Sequence, residues 1–236
     1  MKYLILNLIG ILVFAQLTAQ TANDGIVNLE VISLSQAKLP DLYYQASSGD
    51  FAALPIGLQN RGTPVKWQRA NSFAFFTKNT AEKGQTQMER LMETPVPDGD
   101  GNVLICIYQN QEGHSKAQAI VNDEKEHKAL TARIINLTDT EIGYALADST
   151  YRIGPRGDDV IRLEVSLNER FRFGFQFLDT NQMPIRSPMK TLRFLNANSR
   201  ITAIFAYTSE LKQDGSGGTV ATMKPFAFRI YDSIQP

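Results

Sequence analysis

The sequence is poor in the residues from which most reactive sites are made. Its 236 residues hold one cysteine, one tryptophan and two histidines. One cysteine excludes an internal disulfide and any cysteine-based zinc cluster. Equal numbers of basic and acidic residues, 24 of each, leave no net charge and no basic footprint for nucleic acid. Neither a Gly-Lys-Ser/Thr phosphate loop nor a strand-linked Gly-x-Gly-x-x-Gly occurs, so no nucleotide fingerprint is present. Beyond the N-terminus no apolar run approaches the roughly 20 residues that a membrane-spanning helix needs. What remains is ordinary for a globular chain: 43% hydrophobic and 20% charged residues, enough apolar side chain for a sizeable core and too much for wholesale disorder.

The N-terminus reads as an address. Lys2 gives a positive start, and Tyr3 to Phe14 is apolar except at Asn7 and Gly10. Ala15, Thr18, Ala19 and Gln20 then supply small and polar residues. That order predicts a secretory signal peptide over residues 1–19, cut after Ala19, with a cut after Ala15 or a retained anchor as alternatives. No cysteine stands near the cut, which excludes a lipoprotein anchor at that position. The expected mature chain is exported, to the periplasm, the outer envelope or the medium, and has no transmembrane helix. It is long enough to fold without the disulfides that small secreted domains use.

Period-two alternation dominates the body and predicts strands. In Phe171-Arg172-Phe173-Gly174-Phe175-Gln176-Phe177, four phenylalanines fall on one face and Arg172, Gly174 and Gln176 on the other, as in a strand with one face on a core and one in water. Ile161, Leu163 and Val165 alternate with Arg162 and Glu164, and Phe226, Phe228 and Ile230 with Ala227 and Arg229. Shorter strands are expected at 29–34, 42–46, 65–69, 73–77, 104–109, 132–137, 192–195 and 202–207. Turn-forming residues separate them, as at Asn60-Arg61-Gly62, Pro97-Asp98-Gly99 and Gly154-Pro155-Arg156-Gly157. The best helical window, Thr80 to Glu93, is weakened by Gly84 and its threonines and reads as a loop with one turn of helix. Cys106, within Val103 to Tyr108, reads as a small buried hydrophobe on a strand.

The two halves echo each other. Val27 to Ser35 (VNLEVISLS) answers Leu130 to Thr138 (LTARIINLT). Arg61-Gly62 answers Arg156-Gly157, Phe73-Ala74-Phe75 answers Phe171-Arg172-Phe173, and Ile105 to Tyr108 answers Ile204 to Tyr207. The offsets are 103, 95, 98 and 99 residues, the steady spacing that a duplication with loop insertions leaves; chance likeness of β patterns is the rival account. Many short strands in units of about 100 residues suggest an all-β fold of two tandem immunoglobulin-like β-sandwich units, residues 22–121 and 129–236. The charged run 122–128 would join them. The first unit carries 8 basic and 10 acidic residues, and 128–236 carries 14 and 11, a difference read as ordinary solvation.

The stretches Lys190 to Leu195 and Ala132 to Thr138 resemble those of uncharacterised exported β-rich proteins of Gram-negative bacteria. The resemblance implies an envelope or secreted setting and an all-β fold. It carries no activity and no functional residues.

Candidate chemistries are few. Asp214-Gly215-Ser216-Gly217-Gly218 resembles a serine-protease motif with two letters exchanged, which removes the fixed strained turn such a serine requires; a flexible hairpin loop is the simpler reading. Asp98-Gly99-Asp100-Gly101-Asn102 opens like a calcium loop, but Val103 and Gln109 stand where glycine and glutamate belong, so a hairpin turn is expected. His114 and His127, thirteen residues apart in polar segments, lack a zinc spacing and read as surface residues. Asn136-Leu137-Thr138 is a glycosylation sequon inside an expected strand, and no glycan is expected. Trp67, Tyr43, Tyr44 and Tyr151 are the candidate ligand contacts, because flat amphipathic rings suit sugar stacking; Trp67 equally fits a sandwich core.

The expected function is therefore non-catalytic: binding or assembly in the envelope through loops or sheet edges, with another envelope protein or a glycan as partner and no cofactor or metal. Carbohydrate binding by exposed aromatics is the alternative, and a hydrolase around Ser216 the weaker one.

Overall fold

A computed structural model of the chain describes residues 25–35, 39–58, 62–80, 86–99, 101–122, 125, 127–178, 183–213 and 219–233. The expected signal peptide, 1–19, and the segment with Ser216 lie outside them. The described residues form strands and contain no helix, hence none long and apolar enough to cross a membrane.

In the N-terminal half, β1 (Ile26–Ser33), β4 (Ile56–Leu58), β5 (Val65–Gln68), β8 (Asn102–Gln109) and β9 (Ser115–Asn122) belong to one nine-stranded sheet. Facing it, β2 (Tyr43–Gln45), β3 (Phe51–Ala53), β6 (Ser72–Thr80) and β7 (Thr86–Pro95) form a sheet of order β3-β2-β6-β7. In the C-terminal half, β10 (Thr131–Asn136), β13 (Asp158–Arg162), β17 (Ser199–Gln213) and β18 (Thr219–Ser233) complete the large sheet. Its facing sheet holds β11 (Ile142–Leu146), β12 (Ser149–Ile153) and β14 (Phe171–Leu178), with β15 (Pro184–Arg186) and β16 (Lys190–Leu192) both paired to β14.

One pairing scheme serves both halves. β1 runs parallel to β8 and antiparallel to β5, and β8 turns back into β9. β10 likewise runs parallel to β17 and antiparallel to β13, and β17 turns back into β18. Just past the parallel ladders, Leu34 N donates to Ile107 O and Leu137 N to Phe205 O, each at 2.8 Å. Superposing the ladders places Leu29 on Ala132, an offset of 103, and Val103 on Ile201, an offset of 98. The expected match of Ile105 with Ile204 is thus one residue out. In a strand a one-residue slip exchanges the two faces: Ile105 faces the core between the N-terminal sheets, and Ile204 faces the opposite way.

Three cores follow from that alternation. Leu29, Val31, Trp67, Phe73, Phe75 and Ile105 pack between the two N-terminal sheets. Phe171, Phe173, Phe177, Ile201, Ala203 and Phe205 pack between the two C-terminal sheets. The third core uses the other faces of the same strands: Ile32, Leu104 and Cys106 from the first half meet Ile135, Leu137 and Ile204 from the second. The large sheet therefore folds back on itself, and among the described residues the halves join in its ladder only at Gln109↔Tyr207. This is why Val103 to Tyr108 and Ile201 to Tyr207 are unbroken apolar or nearly apolar runs. Strands buried on both faces have no solvent side to alternate with. Cys106 is fully buried there, as its run predicts.

Polar links line this joint. Arg133 on β10 grips both carboxylate oxygens of Asp158 and donates to Val121 O on β9 at 2.8 Å. Arg156 donates to the Tyr108 hydroxyl and, at 2.7 Å, to Asp139. Burial raises the Tyr108 pKa despite that guanidinium, and burial followed by the charge of Asp159 raises that of Tyr144. The folded state therefore holds both phenols protonated above their ordinary value of about 10. Above that pH the unfolded chain binds fewer protons, so stability is full below it and falls as pH rises. The melting temperature should drop as pH passes about 10, and Tyr144→Phe should flatten part of the drop. The buried Tyr144 hydroxyl has no hydrogen-bond partner, so near neutral pH the same variant should gain about 1 kcal/mol. Circular dichroism melts across a pH series read both effects.

Three local expectations change. Part of the Thr80–Glu93 helical window is β7, whose Glu, Met and Arg side chains prefer helix in isolation; pairing with β6 overrides that preference. β13 ends at Arg162, although Leu163 still points into the core as the alternation requires. The Asp98–Asn102 segment is not a hairpin turn. It crosses from β7 in one sheet to β8 in the other, and Arg69 fastens it by donating to Pro97 O and Gly101 O.

Candidate functional site

The two halves close differently. In the N-terminal half the sheet edges meet, with β7 packed beside β9. In the C-terminal half the corresponding edges, β15 and β16 on one sheet and β18 on the other, stand apart around a cleft of about 290 Å³.

The sequence builds this cleft from a kinked edge. Pro184 opens β15 and Pro188 lies between β15 and β16, along the border of β14, where a residue without an N–H fits only an edge or a bulge. Ser187 carries the ladder through the kink: its N–H donates to Phe175 O at 2.8 Å, and its hydroxyl accepts from Phe175 N at 2.9 Å. Met189 then lies across Gly174, where a Cβ would come within 2.2 Å of its sulfur. Glycine at that position lets the edge fold over the outer face of β14.

Phe173, Phe175 and Phe177 line the cleft. Phe175 is only half-buried and meets Phe205 edge-on, with ring centroids 5.0 Å apart. Ile185 at 41% and Phe226 at 40% exposure border the opening. Arg186, Lys190 and Lys224 also line it, and among the described residues no acidic one does. An apolar interior with a few polar groups at its border is the usual make-up of a binding site. Among the described residues no three His, Cys, Asp or Glu side chains group as a metal would require.

The sequence-predicted contacts lie elsewhere. Trp67 and Tyr44 are buried in the N-terminal core, packed on Phe73, so they do not form an exposed stacking platform. Their rings face inward because β2 and β5 each turn one side to the core. Tyr43 is half-buried with the Lys78 ammonium 4.5 Å above its ring, and Tyr151 stacks on Tyr144 at 5.3 Å. The four rings do not converge on one surface. His114 is exposed beside Glu112, whereas His127 is fully buried and its carbonyl accepts from Arg200 at 2.9 Å. The surface reading therefore holds for His114 and is corrected for His127: the charged joining segment turns inward at that point. Asn136 is fully buried at the end of β10 and closed to glycosylation.

The cleft escaped the sequence reading, although a signal was present. Met183-Pro184-Ile185-Arg186-Ser187-Pro188-Met189 places two prolines and two methionines around one apolar residue, a poor strand and a good kinked lip.

Fold and cleft together define an all-β protein of stacked sheets with an open, cation-bordered apolar site. No family model matches the chain, and none of the curated proteins matches it.

Proposed function

We propose that the chain is an exported, non-catalytic envelope protein of two tandem immunoglobulin-like sandwich units, which acts in binding or assembly through the open sheet edge of its second unit. The observation that carries this reading is the difference between the halves: β7 lies beside β9, whereas a phenylalanine-lined cleft separates β15 and β16 from β18. An opening that leaves aromatic side chains partly exposed costs stability, and binding supplies a reason to keep it.

The recurring pairing scheme supports a duplication. So does the antiparallel pair Gln109↔Tyr207: its two residues are 98 apart, the offset of the β8 and β17 ladders. Equivalent residues pair with each other on the axis of a two-fold, self-complementary interface. Export rests on the signal-peptide pattern of residues 1–19.

The test is photocrosslinking in a Gram-negative host. A benzophenone amino acid placed at Ile185 or Met189 should yield an envelope adduct, while one at Leu91, similarly exposed on β7, should not. Mass spectrometry of the purified chain should find Gln20 at its N-terminus. Adducts at all three positions, or at Leu91 alone, defeat the reading.

A further inference from the structure

We infer that the occupant of this cleft is a single acyl chain bearing a carboxylate, a medium-chain fatty acid; the inference rests on the binding reading above. Three observations lead to it.

The first is charge. Among the described lining residues Arg186 and Lys190 stand at exposed positions and none is acidic, in a protein whose 24 basic and 24 acidic residues balance. Residues 128–236 carry 14 basic against 11 acidic residues, so the local excess lies in the more positive half. A cationic border beside an apolar interior selects an anion with an apolar tail, and charge-assisted hydrogen bonds from Arg or Lys to a carboxylate are among the stronger polar contacts.

The second is shape. The cleft runs between two sheets and is walled by Phe173, Phe175 and Phe177 from β14 and by Pro225 and Ala227 from β18. At about 290 Å³ it stands at the lower end of small-ligand sites, roughly 300–1,000 Å³. That volume suits one short chain better than the side chains of a protein interface.

The third is the chemistry of the lips. Pro184, Pro188 and Pro225 stand in the strands or the kink that border the cleft. Each removes a backbone donor, so a partner strand extending either sheet here would leave its own acceptors unmet. The occupant therefore lies between the sheets rather than adding to them.

Isothermal titration of the full chain with decanoate, kept below its micelle concentration, tests this. Decanoate should bind saturably at one site, and decyltrimethylammonium, with the same tail and the opposite charge, should bind at least about tenfold more weakly. Lys190→Glu and Arg186→Glu, both at exposed positions, should each weaken decanoate about tenfold while leaving decanol unchanged. Phe226→Asp and Ile185→Asp should weaken both ligands, with an unaltered circular dichroism spectrum as the fold control. Equal affinity for the anionic and cationic chains, or indifference to both charge reversals, overturns the assignment. Binding to vesicles of anionic phospholipid without binding to decanoate also overturns it, in favour of a membrane surface. If decanoate fails while crosslinks at 185 and 189 persist, the fatty-acid assignment falls and the binding reading stands; if both fail, both fall.

Discussion

Alanine at Ile204 and at Phe205 is expected to destabilise the protein severely at both positions, although they are neighbours on one strand. In a sheet with one wet face, one of two consecutive residues points to solvent, and truncating it changes stability by less than about 0.5 kcal/mol. Over residues 201–208 β17 has no such face. Phe205 is fully buried among Tyr144, Phe173 and Phe175, and its loss should cost about 4 kcal/mol. Ile204 is fully buried in the third core, against the other half of the molecule, and should cost about 3 kcal/mol. Either value is a large share of the roughly 5–15 kcal/mol that holds a typical domain folded. The lone tryptophan adds a second readout. Trp67 reports on the N-terminal core, while far-ultraviolet circular dichroism reports on the whole chain. Since the halves share one sheet and one core, Phe205→Ala should move both urea transitions together. A shift in circular dichroism with the Trp67 transition unmoved would mean that the halves unfold separately and that the third core couples them weakly.

Asn136→Ala should cost about 3 kcal/mol. The side chain is fully buried and nearly saturated with hydrogen bonds. Its amide nitrogen donates to Thr140 O at 2.8 Å and Gly154 O at 2.9 Å, while its carbonyl oxygen accepts from Thr138 N at 3.0 Å and Thr138 Oγ1 at 2.7 Å. Alanine leaves several of these groups buried without partners, and each such group costs about 1–3 kcal/mol. Asn136→Asp should be at least as damaging above pH 5, because a carboxylate would face two carbonyl oxygens. Urea midpoints of the two variants against wild type decide. Midpoints unchanged in both would mean that water replaces the lost bonds and that this strand end is open to solvent.

The counterpart of this residue shows how far sequence likeness reached. At the offset of 103, Ser33 and Ser35 answer Asn136 and Thr138. All four are buried, and each pair is joined locally: the Ser33 hydroxyl donates to Ser35 O, whereas Asn136 Oδ1 accepts from Thr138 N. The echo of VNLEVISLS in LTARIINLT marks matching strand ends. At Ile105 and Ile204 the same comparison slipped by one residue. A run apolar on both faces has no alternation to fix its register, so only the ladder decides it.

Other elements were hidden for related reasons. β9 (Ser115–Asn122) and β11 (Ile142–Leu146) mix alanine, glycine and polar residues with few branched ones. β7 carries helix-favouring side chains. Each becomes a strand because a neighbour offers a free ladder edge, a property of the assembled sheet rather than of the segment.

The sequence alone determined the all-β class, the inward face of β14 and the burial of Cys106. These depend on period-two patterning and on short apolar runs, both local properties. The folding back of the large sheet, the turning of Trp67 and Tyr44 into the core and the opening between β15, β16 and β18 were decided only by tertiary structure. Each depends on which strands lie side by side across separations that run from Tyr43↔Phe76 to Gln109↔Tyr207, and pairing at that range is set by packing of the whole chain rather than by any window of it.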